Sequence, residues 1–120
     1  MQDFRSLRVW HDAHALTLAV YRATAAFPKE ERYGLTSQVR RSTASVPPNL
    51  AEGCGRGSDV DFARFVQYAL GSNAETRYHL LLAHDLGWLP DEAHACLEEA
   101  LLSVGRQLAR LCQRLRRETA

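Results

Sequence analysis

From Leu97 onward the apolar residues return at alternating spacings of four and three: Leu97, Leu101, Val104, Leu108, Leu111 and Leu115. That alternation keeps them on one face of a helix with 3.6 residues per turn, and it is the seam by which helices pack side by side. A lone helix cannot hide such a seam from water, so the rest of the chain must supply partners. Helical periodicity also dominates elsewhere, and no stretch alternates Val, Ile or Thr with polar residues as a half-buried strand would. The expected fold class is therefore all-α.

Punctuation divides the chain into four helical runs. The first spans about Asp3 to Ala26, with Asp3 as its cap and Phe27-Pro28 as its end. Its apolar side, from Leu7 and Val9 through Trp10, Ala13, His14, Leu16, Thr17 and Leu18 to Val20 and Tyr21, sweeps roughly 200° of the helical wheel, wider than one bundle seam needs. The second runs from about Lys29 to Gly53, and "GCGRGS" at Gly53 to Ser58 follows it as a glycine-rich turn. The third opens at Ser58 or Asp59 and continues to Leu86, where Gly87 and Pro90 close it. The fourth starts at Pro90 or Asp91 and reaches about Arg117. Short connections make consecutive helices antiparallel neighbours, which predicts a single domain over residues 1–120 built as an up-down-up-down antiparallel four-helix bundle.

Pro47 and Pro48 interrupt the second run. Neither has an N–H, so a continuous helix would leave the carbonyls of Thr43 and Ala44 without their partners four residues on. Two solutions are open. The helix can stop near Val46 and restart, so that the missing donors fall among the unsatisfied first-turn groups; or one kinked helix persists, with Ser42, Thr43, Ser45 or water taking up the freed groups. Either bend re-aims Asn49 and Glu52 relative to Arg40 and Arg41.

Composition bounds the function. With 46% hydrophobic and 24% charged residues and a net charge of +1, the chain reads as an ordinary water-soluble domain rather than a disordered or membrane-spanning one. Of the 15 basic residues all but Lys29 are arginine, a preference suited to planar contacts with carboxylate or phosphate and equally produced by a GC-rich genome. The opening "MQDFRSLRVWHDA" has no uninterrupted apolar core, so no secretory leader is expected. Cys54, Cys96 and Cys112 are odd in number and widely spaced, which predicts neither a disulfide framework nor a zinc site and fits a reduced cytoplasm.

Chemical motifs are sparse. A di-iron bundle requires Glu-x-x-His on two helices, and the sequence has none. His11 with His14 and Glu75 with His79 sit at helical spacing but lack further ligands, and His14 reads as a hydrogen-bonded packing residue. Arg77 and His84 lie two turns apart on one face, where a cation could hold a phosphate while an imidazole moved a proton, as in a metal-independent ribonuclease; no third group orients the base. Arg106, Arg110, Arg114 and Arg117 fall within roughly an 80° arc opposite the leucine seam, with Arg116 beside them. Such a stripe is either a solvated face or a phosphate-binding surface, and without interleaved aromatics it implies no base stacking.

The run "FPKEERYGLTSQVRRSTASVPPNLAEG", then "DFARFVQYALGSNAET" and "HDLGWL", with "FRSLRVWHDAHAL" at the start, resembles the four-helix-bundle proteins named after the 23S rRNA intervening sequences that encode the first members. The likeness covers nearly the whole chain: Gln38, Arg40, Arg41, Ser45, Pro47, Asn49, Ala51, Glu52 and Gly53 match the second-helix pattern, and Gly71, Ser72 and Glu75 the third. It implies a small cytoplasmic bundle assembling as a ring-shaped homopentamer. A relative, the accessory variability determinant of diversity-generating retroelements, binds nucleic acid and a reverse transcriptase through a basic surface; the net charge of +1 departs from that basic character.

On this basis Gln38, Arg40, Arg41, Ser45, Asn49, Glu52, Ser72 and Glu75 are expected to form an inter-helix polar network, with the carboxylates and Asn49 pairing to Arg40 or Arg41. Gly71-Ser72 is expected to admit close approach of another helix. The wide apolar arc of the first helix requires a second surface to cover it, with Trp10, Leu16 and Tyr21 as the candidate contacts between copies. The expected function is a cytoplasmic homo-oligomeric binding or scaffolding module. It uses no cofactor, metal, membrane or small-molecule substrate, and holds RNA or a nucleoprotein partner through the Arg106 to Arg117 stripe. A protein-only partner is the alternative, and the Arg77/His84 ribonuclease is the enzymatic one.

Overall fold

The computed structural model describes residues 3–119, and within them every regular element is helical. The elements are α1 (Arg8–Thr24), α2 (Leu35–Ala44), α3 (Val46–Gly55), α4 (Asp59–Asp85) and α5 (Asp91–Thr119), with single 3-10 turns at Phe4–Ser6 and Lys29–Glu31. At 1.5 Å per residue the 29 residues of α5 span about 44 Å, and they set the long axis of a molecule measuring 46 × 23 × 20 Å.

The leucine seam of α5 is the spine of the core: Leu97, Leu101, Val104, Leu108, Leu111 and Leu115 are all buried. Helix α4 runs along α5, and its other flank packs on α2 and α3; α1 packs on α5, α2 and α3. The interior joins Val9, Ala13, Leu16 and Val20 of α1 to Val39, Leu50, Val66, Leu80 and Ala83.

Local signals mark several boundaries. Ser58 accepts a hydrogen bond from the Asp61 N–H and starts α4, as its residue type requires. Gly87, at φ 82°, reverses the chain between α4 and α5. Asp3 caps the 3-10 turn rather than α1, which begins five residues later behind an extended Leu7. The second run also begins later than expected: after the turn at Lys29–Glu31, Glu31 Oε1 accepts from the Leu35 N–H at 2.9 Å and opens α2. The turn expected from Gly53 is shorter, because α3 continues through Gly53 and Cys54 to Gly55.

At the prolines the chain divides. Helix α2 ends at Ala44 and α3 begins at Val46, so both prolines lie in the first turn of α3 where an N–H is dispensable. The carbonyl of Thr43 finds a donor that the sequence did not suggest: Thr17 Oγ1 of α1, at 3.3 Å, a hydroxyl it shares with Ala13 O at 2.8 Å. Asn49 Nδ2 donates to Ser45 O at 2.8 Å, closing the gap from the α3 side.

Close helix approach occurs at Gly53, not at Gly71. A Cβ on Gly53 would sit 2.8 Å from Phe62 Cδ1 and 3.1 Å from Phe65 Cβ, whereas Gly71 is exposed with open space where a Cβ would go. Ala ordinarily stabilises a helix by roughly 1 kcal/mol over Gly, but overpacking costs about 1–3 kcal/mol. Gly53→Ala is therefore expected to lower the urea midpoint of unfolding, reversing the sign that helix propensity dictates.

Candidate nucleic-acid interface

The arginine stripe lies on the outward face of α5 because the seam claims the inward one. Arg106, Arg110, Arg114 and Arg117 are exposed, and none has a side-chain hydrogen bond or ion pair among the described residues. Arg110, Arg114 and Arg117 line a groove of about 400 Å³ against the start of α1, where Leu7, Val9 and Leu111 form its apolar side and Arg8 adds a fourth cation. Arg8 is the only one of these with a carboxylate nearby, Asp12 at 3.7 Å, a half-buried side chain that also accepts from Gln107 Nε2 at 2.8 Å. Unpaired guanidinium groups beside a shallow groove have the charge and the bidentate donor geometry that match phosphate or carboxylate oxygens.

The residues matched on the second and third helices do not form one network. Ser45 Oγ, at the α2–α3 junction, bonds Ser72 Oγ of α4, and Ser42 Oγ of α2 meets Thr76 Oγ1 of α4 at 2.7 Å one turn away, so small hydroxyls join α4 to the junction and to α2. Arg40 turns the other way: its Nε donates to Thr24 Oγ1 at 2.8 Å, one Nη donates to Tyr21 O at 3.1 Å, and its guanidinium lies 4.8 Å from the centre of the Tyr21 ring. Glu52 sits 4.0 Å from Arg56 and Glu75 Oε2 3.0 Å from His79 Nε2. Gln38 and Arg41 are exposed without side-chain partners among the described residues. The expected pairing of Arg40 or Arg41 with Asn49, Glu52 and Glu75 is absent: Arg40 is bonded to Thr24 and Tyr21, Asn49 to Ser45 O, and Glu52 and Glu75 each have a local partner four residues on.

The first helix also differs from expectation. Leu16 is a core residue, 5% exposed. Trp10 is half-buried, with Phe4 at 4.8 Å and His14 stacked parallel to it at 5.2 Å. His14 itself is exposed, a ring on a ring rather than a hydrogen-bonded core residue. Tyr21 stays 42% exposed beneath Arg40.

Arg77 and His84 are separately engaged. Arg77 Nε donates to Glu98 Oε1 at 2.8 Å, while His84 Nε2 contacts Asp91 Oδ1 at 2.6 Å and Nδ1 contacts Asp85 Oδ1 at 3.3 Å. The Asp91 contact, with Asp85 second, raises the His84 pKa above its ordinary value. A ring with a carboxylate on each nitrogen favours the proton it holds. It clamps the start of α5 to the end of α4, and it stacks on His94 at 4.5 Å.

Because the folded pKa lies above the unfolded one, the stabilisation is complete below about pH 6.5 and is lost as pH rises through the folded value. The melting temperature of the wild type is expected to fall toward that of Asp91→Asn as pH goes from about 6 to about 9. A gap that stays constant over this range would show that His84 does not titrate there.

Among the described residues no three His, Cys, Asp or Glu side chains gather to hold a metal ion, and no helix is long and apolar enough to cross a membrane. Cys54, Cys96 and Cys112 are all free thiols.

Comparison with known proteins brings these features together. The family model described as 23S rRNA-intervening sequence protein matches residues 5–110. No curated protein matches the sequence. Among solved structures, a protein of unknown function from the S23 ribosomal protein family of Bacteroides thetaiotaomicron superposes with a TM-score of 0.78 at 19% identity, covering 87% of this chain and 97% of the other. At that identity the likeness is one of fold.

Proposed function

The chain belongs to the 23S rRNA-intervening sequence protein family, and from that premise we propose that it is a non-catalytic, self-assembling module that holds RNA by its phosphates on the arginine face of α5. The fold is read as an up-down-up-down four-helix bundle in which α2 and α3 make one kinked rod. The observation that carries the function is the row Arg106, Arg110, Arg114 and Arg117, four guanidinium groups with no carboxylate partner among the described residues and with Arg8 across the groove. A net charge of +1 then matters less than its distribution, since one unpaired basic surface suffices for phosphate binding. Arg77 and His84, each tied to carboxylates, favour binding over hydrolysis. The test is fluorescence anisotropy of a labelled single-stranded RNA with wild type and Arg110→Glu/Arg114→Glu, with gel analysis of the same RNA for cleavage. Loss of binding in the variant and intact RNA are expected; metal-free cleavage that disappears in Arg77→Ala and in His84→Ala would overturn the non-catalytic reading.

Self-association is read from α4. Tyr68, Ala74, Tyr78 and Leu81 lie along its outer face with the bare backbone of Gly71 among them, and Tyr68, Tyr78 and Leu81 are 50%, 59% and 45% exposed. Large side chains around a glycine suit a second helix laid across that face. With Leu16 inside the core, Trp10 and Tyr21 remain of the first-helix contact set, and the α4 face is added to them. The ring of five copies comes from the family resemblance; the exposed face supports association as such.

A further inference from the structure

At the opposite end of α1 from the arginine groove, about 24 Å away along its 17 residues, a second basic hollow opens between the end of α1 and the start of α2. It encloses about 640 Å³, the size of a small-ligand site. Lys29, Arg32, Arg40 and Arg41 line it, and no acidic residue does. The side chains of Lys29, Arg32 and Arg41 have no hydrogen-bond or ion-pair partner among the described residues. Arg40 is held in place by its bonds to Thr24 Oγ1 and Tyr21 O, which use two of its five N–H groups and leave the rest as fixed donors.

Two further features point to an anion. The hollow lies at the N-terminus of α2, where first-turn N–H groups have no intrahelical acceptor and the helix dipole favours negative charge. Thr36, in that turn, lines the hollow, is 8% exposed, and its Oγ1 has no partner. Of the two carboxylates in the preceding turn, Glu30 and Glu31, neither lines the hollow, and Glu31 Oε1 accepts from the Leu35 N–H. On the walls stand Tyr21, already against Arg40, and Tyr33, 89% exposed with a free ring face.

We propose that this hollow is a nucleotide-phosphate site: Arg32, Arg40, Arg41 and Lys29 hold a phosphomonoester dianion against the start of α2, and Tyr33 stacks on the attached base. Four cations and a helix N-terminus exceed what a single carboxylate requires, and the volume exceeds what an inorganic phosphate fills. The site does not depend on RNA binding at α5.

The phosphomonoester can belong to a free nucleotide or to the 5′ end of an RNA, and calorimetry separates the two. Titration with AMP is expected to give saturable binding, with adenosine weaker by roughly tenfold or more, since each charge-assisted phosphate contact is worth about that factor. Arg32→Ala/Arg41→Ala removes side chains that hold nothing else, so the fold, checked by circular dichroism, is expected to persist while AMP binding drops by at least roughly tenfold. Carrying the Arg110→Glu/Arg114→Glu changes to silence α5, a 5′-phosphorylated RNA octamer that outcompetes its 5′-hydroxyl form assigns the site to an RNA end; AMP binding without that preference assigns it to a free nucleotide. Equal binding of AMP and adenosine, no binding of AMP at millimolar concentration, or AMP affinity unchanged in Arg32→Ala/Arg41→Ala would overturn the proposal.

Discussion

Replacing Tyr78 and Leu81 by glutamate is expected to leave a monomer of 13.5 kDa in place of the proposed assembly. Both side chains are exposed on α4 in the single chain, so the substitutions leave its core untouched and the helical circular dichroism should not change. Burying a large apolar side chain contributes about 1.5–3 kcal/mol, and a glutamate left unpaired in the same contact adds a desolvation penalty. Losing two such residues weakens each contact by roughly a hundredfold to about ten-thousandfold or more, and every contact in a closed ring carries the same loss. Light scattering of the wild type at micromolar concentration should give about 68 kDa, five times the chain mass. A wild-type monomer would remove self-association altogether. A stable dimer that the double substitution dissolves would keep the α4 face and discard the ring.

What was legible in the sequence follows from which features are local. The α5 seam was readable because six residues on one stripe face the core and polar residues face away, and the structure buries all six. The break at Pro47 and Pro48 was readable from the missing donors, yet the group that satisfies Thr43 comes from Thr17, 26 residues away, and no local pattern announces it. The two glycines show the same limit. Gly53 and Gly71 both stand in helical runs, and only the packing of Phe62 and Phe65 onto α3 decides which one needs to lack a side chain.

Helix α4 hid most from sequence reading. It packs on α5 along one flank and on α2 and α3 along another, so apolar residues occur nearly all round and the exposed Tyr78 and Leu81 do not stand out from the buried Leu80 and Ala83. The wide arc of the first helix divides: the core absorbs Leu16 and Phe4 and His14 partly cover Trp10, while Leu18 and Tyr21 stay 43% and 42% exposed. Arg40 and Arg41 were singled out for pairing with carboxylates. The structure instead places both at the hollow beside α2, together with Arg32 and Lys29, because α2 begins at Leu35 after a turn rather than continuing from Lys29.

The second large effect concerns the arginine face. On the proposed reading, replacing Arg110 and Arg114 by glutamate removes two phosphate contacts and places two like charges beside the RNA backbone. Each contact to a single strand contributes about 0.7 to the slope of log affinity against log salt, so two contacts account for roughly a 25-fold loss at about 0.1 M salt before repulsion is counted. Base preference should stay as it is, since phosphate contacts carry no sequence information. Because both side chains are exposed and hold no partner among the described residues, thermal stability should be nearly unchanged.

The decisive measurement is the salt dependence of RNA affinity for wild type and Arg110→Glu/Arg114→Glu side by side. Phosphate binding on α5 predicts a wild-type slope that is shallower by about 1.4 in the variant, together with weaker binding at every salt concentration. Equal slopes with equal affinities would contradict it, and would make the stripe a solvated face of the helix.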